Sequence, residues 1–597
     1  MCISAQARGR YATSAWGELR RVGLRAELRR RLATAHATAA SSQRQEQPVA
    51  PPLRVAVIGG GFAGLAAAYH LLTAAGSSGR AMELTLYDAV GLGAGGSGAA
   101  AGLLHPYTPR GKMLWHGLDA FQDALHLLAA AEAAAQEAAG DSDSSGTPAG
   151  SLETAAGPIR WPLAWRHGML RPTRSAKQAR DIAKFLPKDA QAAAATQAEA
   201  VTDAAALAAL VPGLNPAGLL PAEEEPSRTA ELEQRLRPAA GTQRRRQQQQ
   251  QQQGQAAGPP ALGLMVHAAV TIHPASYVQA LWLACQAAAA RGAAGSAASL
   301  ELQAVTSLRQ LQAARGPFHA VVVAAGAAVG SIEELQGRLP LDLCQGHSLH
   351  MAPGSGEAAG SSSGSSSDAC SGAGAADSSG SSARASHSKG VEYPAGAPSL
   401  LGSPYIAAHG SASLVVGATK RYGLSWQEAY QLLSAPMVHD AAEAEAAAAA
   451  LLPGATQLWP PLAGWQVASV RTGVRALPIR GSDGAIPYAG RLPLEASSSA
   501  VGSSSSSSSS SSDGIPGNGV SQDAAGQLAP GAAATPAGDA SLPPCWVIGG
   551  LGARGLVYHA WLGRLVATAV LSGSEHGLPA ELLRWRELGP SKEGSKR

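Results

Sequence analysis

One segment constrains this chain more than any other. In LRVAVIGGGFAGLAAAYHLL an apolar, β-branched run ends on Gly59-x-Gly61-x-x-Gly64 and passes straight into a helix of small residues. A second apolar alternating run, MELTLYD, ends on Asp88, 24 residues beyond Gly64. Strand, glycine turn, helix, strand is half of a Rossmann unit. Gly59 is expected to make the tight turn, Gly61 to let the backbone approach a pyrophosphate, and Gly64 to seat the helix close to the sheet. The helix N-terminus then offers amides and a dipole to the anion, and Asp88 stands where a carboxylate accepts hydrogen bonds from ribose hydroxyls. NAD and FAD both present an ADP half, so these residues predict a dinucleotide and leave open which one.

The rest of the chain must be read around segments that will not enter a core. There are 70 Gly and 38 Pro in 597 residues, and many of the apolar residues are Ala, which buries little area. Four stretches read as low-complexity, disordered insertions: 133–157, 222–260 with its Arg244–Arg246 and Gln247–Gln253 runs, 353–388, and 495–541 with Ser503–Ser512. Between them lie structured blocks. A helix is expected over Ala176–Leu186, another in HPASYVQALWLACQAAAARG, and strands in LELQAVTSL, FHAVVVAAG, SPYIAAH and SLVVGATKRYG; CWVIGGLGARGLVYHAW again reads as strand, glycine turn, helix.

Residues 1–50 carry nine Arg, no Lys and three Glu, with Leu24, Leu28 and Leu32 on one helical face. That composition is expected of a transit peptide for a chloroplast or a mitochondrion, chloroplast being preferred. Without these residues the net charge falls from +4 to −2, so the remainder is not basic. The five cysteines are far apart in sequence and suggest neither a disulfide framework nor a metal site. No apolar run reaches the length of a membrane span, so no membrane partner is expected.

Four blocks in order carry a resemblance to a known family. GLGAGGSGAAAGLLHPY, VVVAAGAAVG, RTGVRALPIRGSDGAIPYAG and GGLGARGLVYHAW resemble, in turn, the segments by which the D-amino-acid-oxidase (DAO) family of FAD-dependent oxidoreductases holds its flavin and its substrate. The resemblance implies FAD as the cofactor. It gives cofactor contacts to Ser97, Gly98, Ala99, Gly102 and Leu103, to Gly326, and to Gly552, Arg554 and Gly555, whose amides would face the flavin pyrimidine. It also places Arg475 where the family pairs an arginine bidentately with a substrate carboxylate, with Arg421 a looser candidate for that role. For each arginine the alternative is an ordinary ion pair. Tyr405 and His105 can line the pocket or simply pack, and His559 reads as structural.

The implied fold is α/β. A Rossmann-like FAD-binding domain is expected from 52–130, 261–335 and 542–590, and an antiparallel-sheet substrate domain from 158–221 and 336–494. The implied reaction oxidises a C–N bond of an amine or amino acid by hydride transfer to the flavin, with water hydrolysing the imine and oxygen or another electron acceptor reoxidising the cofactor. Within the family, VAVIGGGFAGLAAAYHL, GSGAAAGLLHPYTP, HAAVTIHPASYVQALW and GLGARGL are most similar to the FAD half of the bacterial bifunctional enzyme that matures methylaminomethyl-uridine in tRNA. A tRNA wobble base is therefore the second expected substrate, although the basic surface that tRNA needs is not visible in the sequence. A non-catalytic nucleotide-binding scaffold is the third reading.

Overall fold

Leu53–Ile58 is buried along nearly its whole length, which is what a strand covered on both faces requires. A computed structural model of the chain describes residues 50–140, 151–215, 261–354, 391–433, 436–481, 484–494 and 542–588. In chain order its first elements are β1 (Leu53–Ile58), α1 (Phe62–Ser77), β2 (Met82–Asp88), β3 (Leu103–Leu104) and α2 (Gly117–Ala139). Next come β4 (Ser151–Thr154), β5 (Gly157–Arg160), β6 (Ala164–Trp165), β7 (Met169–Pro172), α3 (Ala176–Phe185), α4 (Ala190–Thr196), β8 (Ala198–Val201) and α5 (Ala204–Leu210). The middle of the chain supplies β9 (Gly263–Val266), β10 (Val270–Ile272), α6 (Pro274–Ala290), β11 (Ala297–Leu302), α7 (Leu308–Arg315), β12 (Ala320–Val323) and β13 (Leu341–Pro353). The remainder is β14 (Ser399–Leu400), β15 (Tyr405–Ala408), β16 (Leu414–Gly417), β17 (Arg421–Tyr422), α8 (Trp426–Leu433), α9 (Ala441–Leu458), β18 (Trp465–Pro478), β19 (Tyr488–Arg491), β20 (Cys545–Gly549) and α10 (Gly555–Ser572).

Among the described residues the first large sheet runs β11-β2-β1-β12-β20-β19, parallel except for the antiparallel edge strand β19. Helices α1, α2, α6 and α10 pack together over the face that carries Val55, Val57, Val322 and Ile548. The opposite face, with Ile58, Val321, Val323 and Val547, is covered by α7 and by the ends of β13 and β18, where Leu341, Leu343, Val474 and Ala476 are buried. This is the Rossmann-like half of an α/β fold.

The second sheet is largely antiparallel, in the order β17-β13-β16-β15-β14-β7-β9-β8, with β18 on the other flank of β13. The β13–β18 ladder runs from Leu341 opposite Pro478 to Pro353 opposite Trp465. Paired residues share a face, so Cys344 and Arg475, Gly346 and Gly473, and Ser348 and Arg471 stand side by side on one surface of the sheet. A small sheet, β3-β10-β6, lies in sequence between the two halves of the first.

The segment expected as the insertion 133–157 instead carries regular structure at both its ends, while 141–150 lie outside the described residues. Residues 133–139 complete α2, with Ala131, Ala134 and Ala135 buried against its neighbours, and β4 pairs with β5 as a hairpin. Low complexity misled here because alanine is the strongest helix former and lets helices approach closely. Strand β19, expected with the second sheet, joins the edge of the first by pairing with β20. Of the other expected insertions, 222–260, 495–541 and all of 353–388 but its first two residues lie outside the described residues, as do residues 1–49. Among the described residues no helix is long and apolar enough to cross a membrane, no group of three His, Cys, Asp or Glu is placed to hold a metal, and Cys285, Cys344 and Cys545 are free thiols.

Candidate active site

The turn after β1 is built as the glycine spacing demands. Gly59 has φ +110°, and a Cβ there would lie 2.5 Å from the Ala324 carbonyl oxygen, so only glycine lets the turn sit against the end of β12. A Cβ on Gly64 would lie 1.9 Å from the Gly59 oxygen, which is why α1 can start in contact with that turn. Gly61 lines the cleft, and its bare Cα also makes room for Ser97, whose Oγ would be 2.8 Å from a Cβ. Ser97 Oγ accepts a hydrogen bond from Phe62 N at 3.0 Å, so it closes one free amide of the α1 N-terminus and keeps its own proton to donate into the cleft.

Asp88 ties the turn to the end of β2. Its Oδ2 accepts from Gly60 N at 2.7 Å, and its Oδ1 from Val90 N at 3.0 Å and Gly91 N at 2.9 Å. Three amides fix the carboxylate, yet two oxygens have room for about four acceptor contacts. Asp88 lines a cleft that continues past the N-terminus of α1, along Gly95–Ser97 and Ala99–Leu103, to Gly326, Gly552, Gly555 and Arg475.

Of the residues expected at the site, Gly59, Gly61, Asp88, Ser97, Ala99, Gly102, Leu103, Gly326, Gly552, Gly555 and Arg475 line this cleft. Gly64 lies just behind it. Gly98 is not on the wall; its amide bonds Gly93 O at 2.9 Å and it turns the loop, for a Cβ there would lie 2.3 Å from that oxygen. Arg554 holds the start of α10, but its guanidinium points away and donates to Ala485 O at 3.1 Å. Arg421 takes the ordinary alternative: it is exposed, pairs with Glu428 at 2.8 Å and donates to Gln345 Oε1 at 3.2 Å. An edge strand of two residues leaves its side chain outside the cleft.

Tyr405 does line the cleft, facing the Arg475 end. Burial raises its phenol pKa, and the positive charge of Arg475 partly offsets the shift. The Cys344 thiol, opposite Arg475 across the ladder, is likewise raised by burial and eased by Arg475. Among the described residues no carboxylate comes within 4 Å of the Arg475 guanidinium. His105 packs behind the wall; burial, then Arg171 and Arg554, push its pKa down to about 3, and its Nδ1 accepts from Tyr107 N at 3.3 Å. His559 is fully buried between Tyr277 and the Leu556 carbonyl.

These residues fit FAD. The turn at 59–64 and Asp88 suit an adenosine diphosphate, and the bare backbone at Gly326, Gly552 and Gly555 leaves the rest of the cleft free for a flat ring. A family model described as DAO, FAD dependent oxidoreductase, matches residues 54–569. No curated protein sequence matches the chain. Among solved structures, L-proline dehydrogenase from P. horikoshii is 10% identical with a TM-score of 0.50, over 91% of this chain and 99% of that one. Iminodiacetate oxidase from Chelativorans sp. BNC1 is 16% identical, TM-score 0.49, over 91% and 100%. Glycine oxidase from Geobacillus kaustophilus is 15% identical, TM-score 0.49, over 89% and 98%. At 10% identity the likeness to the dehydrogenase is one of fold.

Proposed function

The chain belongs to the DAO family of FAD-dependent oxidoreductases, and from that premise we propose that it oxidises the C–N bond of a small amine or amino acid bearing a carboxylate. The observation that carries this reading is Arg475: a half-buried guanidinium on the cleft wall, without an acidic partner among the described residues, beside the phenol of Tyr405. A planar fork of donors in that position suits a carboxylate in two parallel hydrogen bonds.

FAD, held by the 59–64 turn, Asp88 and Ser97, would supply at N5 the acceptor for the hydride that the substrate carbon loses, and the resulting imine would be hydrolysed by water. The chain's own residues bind and orient. Arg475 holds the carboxylate, the Tyr405 hydroxyl donates to the same group, and Gly346, without a Cβ, leaves room for the Arg475 fork. The raised phenol pKa keeps Tyr405 protonated, as a donor must be. Asp88, Ser97 and the α1 N-terminus hold the dinucleotide and do no chemistry.

The test is flavin bleaching without oxygen, with glycine, sarcosine, D- and L-amino acids and bulk tRNA bearing carboxymethylaminomethyl-uridine as substrates. Fast bleaching by a small amino acid supports the reading; bleaching by that tRNA alone, suppressed by salt, replaces it with the wobble-base reading. Admitting air afterwards separates oxygen from another electron acceptor. The scaffold reading is not carried forward, because the family is one of enzymes. We also propose that residues 1–50 direct import into an organelle, a chloroplast before a mitochondrion, on the strength of their nine arginines. A fluorescent protein fused behind those residues and left in the cytosol would overturn it.

A further inference from the structure

Beside the cleft, the surface of the second sheet carries a group of cationic and polar side chains that the proposed reaction does not use. Arg471 stands next to Ser348 across the β13–β18 ladder, two residues from Gly473 on the same face. His350 follows on β13, and His409 and His273 approach with ring centroids 5.6 Å apart. His409 Nε2 donates to the Ala101 carbonyl at 3.1 Å, which fastens the group to the loop lining the cleft.

Two buried polar atoms here have no partner. Ser348 is 3% exposed, and its Oγ makes no hydrogen bond; the buried Nε of Arg471 makes none either. Among the described residues no carboxylate lies within 4 Å of Arg471. The permanent charges acting on the group, those of Arg471 and Arg160, are both positive. His350 is pushed down to about 3 by burial, then by Arg471, His409 and His273; His273 is lowered to about 4 by burial, then by His409, Arg160 and Arg471. Arg471 is itself lowered by burial and by Arg160. A half-buried guanidinium with an unpartnered Nε beside an idle buried hydroxyl is a costly arrangement in isolation, and an anion relieves both parts of it.

We propose that Arg471, Ser348 and His350, with His273, His409 and Arg160 around them, form a second oxyanion site beside the cleft, which takes a carboxylate or phosphate group. That group arrives either as a small free ion or as the distal acid of a substrate held at Arg475. The free-ion arm is independent of the amine reading; the distal-acid arm rests on it.

The experiment is calorimetric titration of the FAD-loaded protein with inorganic phosphate and with acetate, in the wild type, Arg471→Gln, Arg475→Gln and the variant carrying both. Saturable binding in the wild type and Arg475→Gln, weakened at least tenfold once Arg471→Gln is added to the latter, is the result expected. Flavin content and melting temperature of each variant check that it has folded, and Ser348→Ala, a smaller change, should weaken binding severalfold. Alanine and aspartate are then compared as substrates. A KM raised at least tenfold in Arg471→Gln for the diacid alone identifies the distal acid as the source; equal KM values with phosphate still bound identify the free ion. The site is overturned if there is neither saturable phosphate or acetate binding nor a diacid-selective KM change, or if the binding seen in Arg475→Gln is equally strong once Arg471→Gln is added to it, whether or not any amine bleaches the flavin.

Discussion

Gly346 owes its lack of a side chain to Arg475: a Cβ at position 346 would lie 2.9 Å from Nη2 and 3.0 Å from Nη1 of that guanidinium, and 2.9 Å from the Thr419 oxygen. The flexible guanidinium gives way more readily than the backbone. Gly346→Ala should therefore displace the fork and lower kcat/KM for a carboxylate-bearing substrate about 10- to 100-fold, or ~1.4–2.8 kcal/mol. Flavin content should be unchanged. Steady-state kinetics with the best amino acid check it.

Arg475→Lys should act through substrate capture, because an ammonium cannot reproduce the planar two-bond fork. We expect KM to rise about 10- to 100-fold with kcat changed less, the pattern of an interaction present in both ground and transition states. Unaltered KM on that substrate would return Arg475 to a structural role.

Asp88→Asn puts an amide where three backbone N–H groups point. One of its two polar atoms becomes a donor facing donors, and the charge that strengthens each bond is gone. FAD should bind at least about tenfold more weakly, a loss of ~1.4 kcal/mol or more, and fluorescence titration of the apoprotein with FAD measures it.

Acid should destabilise the fold through buried imidazoles. His559 Nδ1 donates to Leu556 O at 2.9 Å, so its Nε2 accepts from the Tyr277 hydroxyl at 2.8 Å, and burial lowers its pKa from 6.5 to about 4. The unfolded chain binds the proton first, so the contribution is complete above pH 6.5 and is lost as pH falls toward 4. That contribution is on the order of 3 kcal/mol for a group so buried. Melting temperature should fall steadily over that interval, and less steeply in His559→Gln; identical slopes would exclude His559 as a source.

Residues 495–541 connect β19 to β20, which are antiparallel neighbours with Arg491 opposite Trp546. Two strands so placed need only a short turn, and loop closure varies as the logarithm of length. Replacing the segment by a short Gly-containing turn should leave FAD affinity unchanged within about twofold and raise the melting temperature slightly. Loss of flavin in that variant would show that the segment contributes to the site.

The dinucleotide half was legible because its determinants are local: one strand, three glycines and an acid within Leu53–Asp88 position one another by chain geometry. Arg475 was legible only through a family pattern, since nothing in VRALP tells which face of a strand meets a cleft. Arg421, the looser candidate, proved to be paired with Glu428, a partner seven residues on whose reach depends on where α8 begins. The oxyanion group was missed entirely. Its members come from β13, β18, the residue after β15 and the cap of α6, and the pairing of Ser348 with Arg471 appears only once the ladder register is known. Helix α9, with Pro453 inside it, also went unread, because a proline in an alanine-rich run argues against the helix that tertiary packing of Leu451, Ala455 and Leu458 maintains.

The strand order of the first sheet carries a consequence for synthesis. β12 lies between β1 and β20, so its second edge is covered only by a strand that begins at Cys545. A growing chain therefore exposes Ala320–Val323, four residues buried in the finished fold, as a bare β-branched edge until Cys545–Gly549 leaves the ribosome. Premature termination or a proteolytic cut ahead of Cys545 should yield chains that aggregate through that edge, and a chaperone that shields it would have to stay bound while residues 324–549 are made.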